Sequence, residues 1–467
     1  MKQKINSLPS SESLKRWEVF EKTLLIVVLL DLALGGNGYL VEIGGLRLRV
    51  ILYGFCMAWV ILRLTRIQPI RLDAPLVYLS IFFAAVTAFD AALGYFAGYR
   101  VEAIAAELKP LCYFPMLLFF LVTIRTREDL TLVAAILVAC GMLLAFLYLT
   151  LLLTAVAGVV ERSSIYEFLN MSDEFIFRRD PRIRPFVGFF YKGYFYVCIA
   201  ALFLLFDSFR ITKILAAIAL LSIGMTLTRG LCVAIVACII AGIALGQKWK
   251  RVLMLVGQGA LLLTTLFFAQ QAEMLPLVAS SQSPGAGGQE LKTNNGPGSE
   301  RPKEDPCLQD SLCGKFRSSM QTVTRTSDNL RADDIKYIVK ELDFSMATVG
   351  RGLGAPIRDR ERIEMTYLEV FYKQGLPGLS VWLVLFLYTF YLYLKVPRET
   401  KAFGLVFFLS SLFVFVVTAS NTFLTGSIGM AVVFIALASL LVLTREDPRP
   451  MPAEDWYGRW PMRLLRA

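Results

Sequence analysis

The chain has 467 residues, 56% of them hydrophobic and 18% charged, with no histidine and a formal net charge of +11; its mean hydropathy is +0.59. That is more apolar than the roughly 45–50% of a soluble globular domain, which excludes one. The basic excess would suggest nucleic acid on a soluble chain, but no stacking motif or basic helix supports it; the excess marks short loops between apolar runs, and no nucleic-acid partner is expected.

The first segment, 1–18, is polar and basic and reads as a cytoplasmic lead into the first span, without a cleavable signal. Runs such as "TLLIVVLLDLALGG" and "LVAAILVACGMLLAFLYLTLLLTAVAG" then approach the length of a hydrocarbon core. They are solid rather than alternating, so they are helices and not barrel strands. The pattern predicts an all-α polytopic membrane protein with about twelve transmembrane helices, nine of them over 19–272 and three over 365–444, the bilayer being their solvent.

Basic short loops recur on every second turn of the path, at Leu62–Asp73, Ile124–Asp129, Asp207–Lys213, Gly246–Arg251 and Lys395–Lys401. The positive-inside rule places them, both termini and the 445–467 tail in the cytoplasm. The intervening turns and the long 273–364 segment then face the periplasm of a bacterial inner membrane. Residues 279–306 of that segment are rich in Gly, Pro, Ser and Asn and are expected to be flexible. Residues 314–350 are expected to be helical. Within them Ile335, Ile338, Val339 and Leu342 make one apolar face, so this helix should lie over the bundle as a lid or floor. Cys307 and Cys313, in the same oxidising loop, are expected to form a disulfide, the alternative being two free thiols; the other six cysteines sit in apolar runs as packing residues.

The signatures of soluble enzymes are missing. Without histidine there is no catalytic triad, and no zinc or other metal site is expected; no P-loop, dinucleotide fingerprint or Asp-x-Asp is found, so no cofactor is expected either. Chemistry falls to arginines, carboxylates and tyrosines. Arginines on the outer side run against the usual charge bias: Arg178, Arg179, Arg182 and Arg184 before one span, Arg229 at a bend between two, Arg331 at the head of the amphipathic helix, and Arg351, Arg358, Arg360 and Arg362 after it. A guanidinium fork matches phosphate oxygens and stays charged when partly buried, which suits a polyanion at the membrane–water boundary. Arg229 is the sharpest case, because an arginine within a span costs about 2.5–3.5 kcal/mol on insertion scales; snorkelling, or a pair with Asp31 or Asp90, is the structural alternative.

Three segments taken in order resemble the O-antigen polymerase and O-antigen ligase superfamily. "RPFVGFFYKGYFYVCIAALFLL" is similar to its arginine-led entry to a span. "LLSIGMTLTRGLCVAIVACIIAG" is similar to its helix bend, with Thr228 where serine is usual. "RADDIKYIVKELDFSMATVGRGLG" followed by "EMTYLEVFYKQGLPGLSVWLVLF" resembles the end of its long loop. The match runs from Arg184 to Leu394; the N-terminal third matches only in hydropathy.

The resemblance implies a lipid-dependent, GT-C-like glycosyltransferase that needs no metal. Its donors and acceptors would be oligosaccharides on polyprenyl diphosphate, with a chain-length regulator and a flippase as possible partners. It carries diphosphate binding onto Arg184, Arg229 and Arg331, with Lys109, Arg182, Tyr191, Arg351 and Tyr367 as secondary substrate contacts. Ligases of the family have a histidine just before the Tyr-Leu-Glu segment; here Glu364 stands in that place, which favours a polymerase of O-antigen or exopolysaccharide over a ligase acting on lipid A-core or protein. Glu364 is then the candidate base for the acceptor hydroxyl, with Asp173, Glu174 and Asp180 as rivals and a salt bridge with Arg360 or Arg362 as the structural alternative. A transporter or flippase of lipid-linked saccharide is the reading from another class, although no repeat between the halves supports it.

Overall fold

The computed structural model describes residues 11–35, 42–43, 46–67, 73–157, 159, 182–183, 189–190, 193–206, 210–226, 228–245, 256–257, 260, 329–358, 360 and 362–445. Arg184, Tyr191, Asp173, Glu174, Asp180, Cys307, Cys313, the 279–306 stretch, the first ten residues and the tail beyond Arg445 lie outside the described residues, and Arg182 is described in its backbone alone.

Helices dominate. In chain order they are α1 (Ser11–Gly35), α2 (Leu48–Leu62, extended by a π-helical turn Arg63–Ile67), α3 (Ala74–Phe96), α4 (Val101–Leu111), α5 (Met116–Thr123), α6 (Arg127–Val156), α7 (Tyr194–Leu205), α8 (Arg210–Met225), α9 (Arg229–Ala244), α10 (329–340), α11 (Phe344–Val349), α12 (Thr366–Lys395), α13 (Lys401–Thr418) and α14 (Ser427–Arg445). The described strands are two minimal antiparallel pairs: β1 (Glu42–Ile43) with β2 (Leu46–Arg47), and β3 (Arg182–Ile183) with β4 (Phe189–Phe190).

Among the described residues seven stretches are long and apolar enough to cross a membrane: Leu48–Thr65, Ala74–Phe96, Val101–Thr123, Arg127–Thr154, Thr366–Lys395, Lys401–Thr418 and Ser427–Arg445; three shorter apolar helices, α7, α8 and α9, accompany them. Two helices are apolar all round and sit at the centre. Every residue of α7, and every residue of α14 from Ile428 to Leu443, is buried. The peripheral helices bury one side and present large apolar residues outward, as α3 does with Tyr78, Ile81 and Phe89. Water would penalise such a surface; lipid does not, so the chain is a polytopic helical membrane protein.

Packing follows from small residues where backbones meet. α6 lies on α7 at Gly141, where a methyl group would come within 2.6 Å of the Tyr196 carbonyl oxygen. α13 packs against α9, α12 and α14, and α12 also packs against α3. One end of the bundle is tied by charge. Glu21 of α1 accepts from Arg63 at 2.6 Å and from Arg125 at 3.0 Å, and the α5–α6 turn is closed by Thr126 and Asp129, which cap each other's backbone N–H groups.

The other end is built around a broken helix. α12 is interrupted at Gly375, whose φ is 61°. A break of this kind at membrane depth frees backbone carbonyls that must find donors. The segment after α11 supplies them: Arg351 N–H donates to the Tyr372 carbonyl and Gly352 N–H to the Lys373 carbonyl, both at 2.9 Å. Gly350, Gly352 and Gly354, all with φ between 83° and 87°, let this loop press against α12, against α3 at Gly94, and against α4 at Ile104. Leu353 N–H donates to the Asp90 carbonyl at 2.9 Å and completes the seam.

The amphipathic helix falls at α10, and its apolar positions divide. Ile338 is buried in a small cluster with Met346, Ile357, Met365 and Tyr372, whereas Ile335, Val339 and Leu342 remain exposed. Only the first of these faces the bundle.

Candidate active site

The glycine seam fixes a cavity of about 560 Å³ between α2, α4, α12 and the turn leading into α14. Its charged lining comes from four places. Arg47 ends β2 and Arg49 opens α2; Glu107 and Lys109 come from the end of α4; Arg362 precedes α12; Glu369 and Lys373 lie four residues apart on one face of α12. Thr422, Thr425 and Ser427 add hydroxyls, and Tyr53 and Tyr113 add rings. Cys112, free and exposed, lies on the same wall.

Two of these charges are anchored into the helix framework. Arg49 donates to the Asp31 carboxylate at 2.8 Å, to the Asp31 carbonyl at 3.0 Å and to the Ser427 hydroxyl at 3.1 Å, so one guanidinium joins α1, α2 and α14. Arg362 donates to the Ala106 carbonyl at 2.5 Å, which pins the lead-in of α12 to α4. At the floor, Lys373 donates to Glu107 at 2.5 Å and to Glu369 at 3.0 Å. The ammonium is 3% exposed, with Glu107 at 6% and Glu369 at 13%. Glu107 is used on both oxygens, since it also accepts from Gly354 N–H at 2.8 Å. The cavity therefore has a floor of paired ions and a rim of cations, a suitable cradle for a bulky anion.

The residues singled out by sequence fall in different places. Lys109 lines the cavity. Arg229 is exposed at the first turn of α9. Its neighbour Gly230 packs on Ser420 and Asn421, and the Asn421 carbonyl accepts from Thr366 at the start of α12; the same turn supplies Thr422 and Thr425 to the cavity wall. Arg229 thus sits at the cavity's end of the bundle, behind its wall. Arg331 pairs with Glu364 at 2.7 Å, outside the cavity lining, and Glu364 is about half exposed. Arg360 pairs with Asp334 and Arg362 with the Ala106 carbonyl, so the ion partner of Glu364 is Arg331 rather than either of them. Tyr367 donates to the Phe415 carbonyl at 2.6 Å, an anchor between α12 and α13.

Arg351 bonds the Glu341 carbonyl and, at 2.9 Å, the Asp343 carboxylate. Asp343 also caps α11 by accepting from Met346 N–H at 2.6 Å. That backbone bond first, and the Arg351 guanidinium after it, hold the Asp343 carboxyl below its ordinary value. Among the described residues no group of three or more carboxylates or thiols is gathered to hold a metal ion.

Arg47, Arg49, Glu107, Glu369 and Lys373 were not singled out from the sequence. For Glu369 and Lys373 a signal was present. Opposite charges four apart at the mouth of an apolar span are costly there and point to a site.

No protein-family model matches the chain. Over 423 residues, 89% of this chain and 94% of the other, it is 22% identical to a protein named O-antigen polymerase from Shigella flexneri. The similarity is distant, and it spans nearly the whole length of both proteins.

Proposed function

We propose that this chain is a membrane-embedded glycosyltransferase that joins polyprenyl-diphosphate-linked oligosaccharide repeat units into O-antigen or exopolysaccharide. It crosses the bacterial inner membrane about twelve times, with both termini cytoplasmic and the cavity on the periplasmic side. The observation that carries this reading is the cation-rimmed cavity, with Arg47, Lys109 and Arg362 around an opening of about 560 Å³ at the end of the bundle. The near full-length similarity to a protein named O-antigen polymerase supports it.

In this reading the rim cations hold the donor diphosphate, whose charge grows as the glycosidic bond breaks; fixed cations in a site with little water stabilise that charge most where it develops. The hydroxyls of Thr422, Thr425 and Ser427 face the sugar side. Arg229 and Arg331 complete the basic surface through which the lipid-linked units arrive. A flippase would deliver those units, and a chain-length regulator would end the reaction. A polymerase is preferred to a ligase because the chain contains no histidine to stand before the Tyr-Leu-Glu segment.

The test is the glycan size distribution of cells lacking the protein. Single repeat units should accumulate, wild type should restore long chains, and Arg229→Ala at equal expression should restore few. Long chains that build up unattached would indicate a ligase. Unchanged chain length would sink the polymerase reading.

A further inference from the structure

From the ion cluster on the cavity floor we infer that Glu369 is the catalytic base of this enzyme, the group that takes the proton from the acceptor hydroxyl; the inference rests on the polymerase reading above. Three observations lead to it. First, the cluster holds more acid than the tie between the helices uses: the Glu107–Lys373 pair joins α4 to α12, and Glu369 is a second carboxylate on α12 itself, beside Lys373 and near the Arg362 guanidinium. Two opposite charges would suffice to tie α4 to α12, and a third buried ion in a membrane span costs free energy that the fold does not require.

Second, the two carboxylates are not equivalent. Glu107 spends one oxygen on Lys373 and the other on the Gly354 N–H, so it is a positioning residue. Glu369 shows a bond through only one oxygen among the described residues, to Lys373, and it lines the cavity. Third, the supports are rigid. Lys373 is held where the glycine loop satisfies the α12 carbonyls, the Gly352 N–H lying on its own carbonyl oxygen at 2.9 Å. The ammonium is thereby fixed one helical turn from Glu369, at 3.0 Å from its carboxylate. Glu364 lacks this placement, being paired with Arg331 outside the cavity lining.

The step balances with what is present. The acceptor oxygen forms a bond to the anomeric carbon of the donor sugar while the bond from that carbon to the diphosphate oxygen breaks. The electron pair leaves with the polyprenyl diphosphate, which gains one negative charge beside the rim cations. The hydroxyl proton passes to Glu369 and then to water, which returns the carboxylate for the next unit.

The experiment uses the full chain in lipid nanodiscs with polyprenyl-diphosphate-linked repeat units, reading donor affinity and chain elongation separately. Glu369→Gln should bind the donor within about threefold of wild type, while elongation falls by about 10²–10⁴-fold, the usual contribution of a general base. Glu369→Asp should recover part of the loss, because the carboxylate is kept and only its reach is shortened. Should Glu369→Gln not fold, Glu369→Asp decides alone: a wild-type elongation rate overturns the assignment. Elongation at the wild-type rate in Glu369→Gln overturns it directly, and an inactive Glu364→Gln beside it would return the role to Glu364. Wild-type protein that binds and never elongates overturns the polymerase reading itself, and the base with it.

Discussion

The two ends of the bundle each hold a cluster of three ions, and the clusters differ in charge, in the burial of the third ion and in access to a cavity. Arg49 and Arg63 lie at opposite ends of α2, about 20 Å apart by helical rise. Around Arg63, the Glu21 carboxylate receives two guanidiniums; Glu21 is 3% and Arg63 4% exposed, and only Arg125 reaches the surface. Arg63 also stacks over the Trp59 ring at 5.7 Å, and neither Arg63 nor Glu21 lines the cavity described above. Around Lys373 all three charges are deeply set, yet Glu107, Glu369 and Lys373 all line an open cavity. Access to a cavity separates a site from a staple. Where no cavity opens, the ions need only satisfy one another; where one does, their field acts on whatever enters.

This contrast can be broken by removing one charge from each cluster. Lys373→Met should destabilise by about 3–5 kcal/mol, since it takes the shared ammonium from two buried carboxylates, and Arg63→Met by less, since Arg125 still pairs with Glu21 at 3.0 Å. Replacing the clusters whole then separates them. Glu107→Gln, Glu369→Gln and Lys373→Met together should recover most of the lost stability, and so should Glu21→Gln with Arg63→Met, because a complete buried ion cluster contributes little net stability. Only the first combination should remain without chain elongation. Thermal unfolding in detergent, paired with an elongation assay, reads both; recovered elongation in the cavity triple variant would reduce its cluster to a second staple.

A smaller effect is expected at the glycine seam that carries the cavity cluster. Gly350 has φ +85° and a methyl group there would lie 2.3 Å from the Lys373 carbonyl oxygen, whereas Gly98, at φ +80°, has nothing within 4 Å. Gly350→Ala should thus cost more than the about 1–3 kcal/mol of a strained backbone conformation, and Gly98→Ala no more than that. Elongation should fall with the first and hold with the second. Equal losses would mean that the seam does not position Lys373.

How much of this was legible in the sequence follows from the same contrast. The apolar runs predict helices because lipid leaves the backbone no other way to bond itself, and α3, α6, α13 and α14 appear within them. The amphipathic period at 335–342 locates α10, yet period alone does not say which stripe meets protein; Ile338 does, while Ile335, Val339 and Leu342 do not. At the site, composition drew attention to arginines, and of the arginine set after α10 only Arg362 lines the cavity. Glu107 and Lys373 are 266 positions apart, and their pairing depends on the packing of α4 on a broken α12. No local pattern records a contact of that kind. The Gly-rich "GRGLG" stretch was visible as a motif, but its task, donating N–H groups to carbonyls freed at Gly375, became readable only with both segments in place.

The mildest test lies outside the bundle, where charge acts in water. Asp343 accepts from Met346 N–H at the start of α11 and pairs with Arg351 at 2.9 Å, with its side chain about half exposed. Its carboxyl is held below the ordinary value of 3.8, so the sign is fixed. Its contribution is complete above that ordinary value and is lost as pH falls through the lower, folded one. Hydrogen exchange at the Met346 amide, corrected for the intrinsic rate, should therefore stay slow at neutral pH and rise only in strong acid. Asp343→Asn keeps an acceptor for the cap but cannot titrate, and its protection should show no such acid step. Asp343→Ala should exchange faster at every pH. Because α11 packs on α12 and leads into the glycine seam, loss of the cap should loosen the cavity's support without dissolving it. Elongation in Asp343→Ala is expected to drop less than in Gly350→Ala, since the cap acts on the helix before the seam and Gly350 acts on the carbonyl of Lys373 itself.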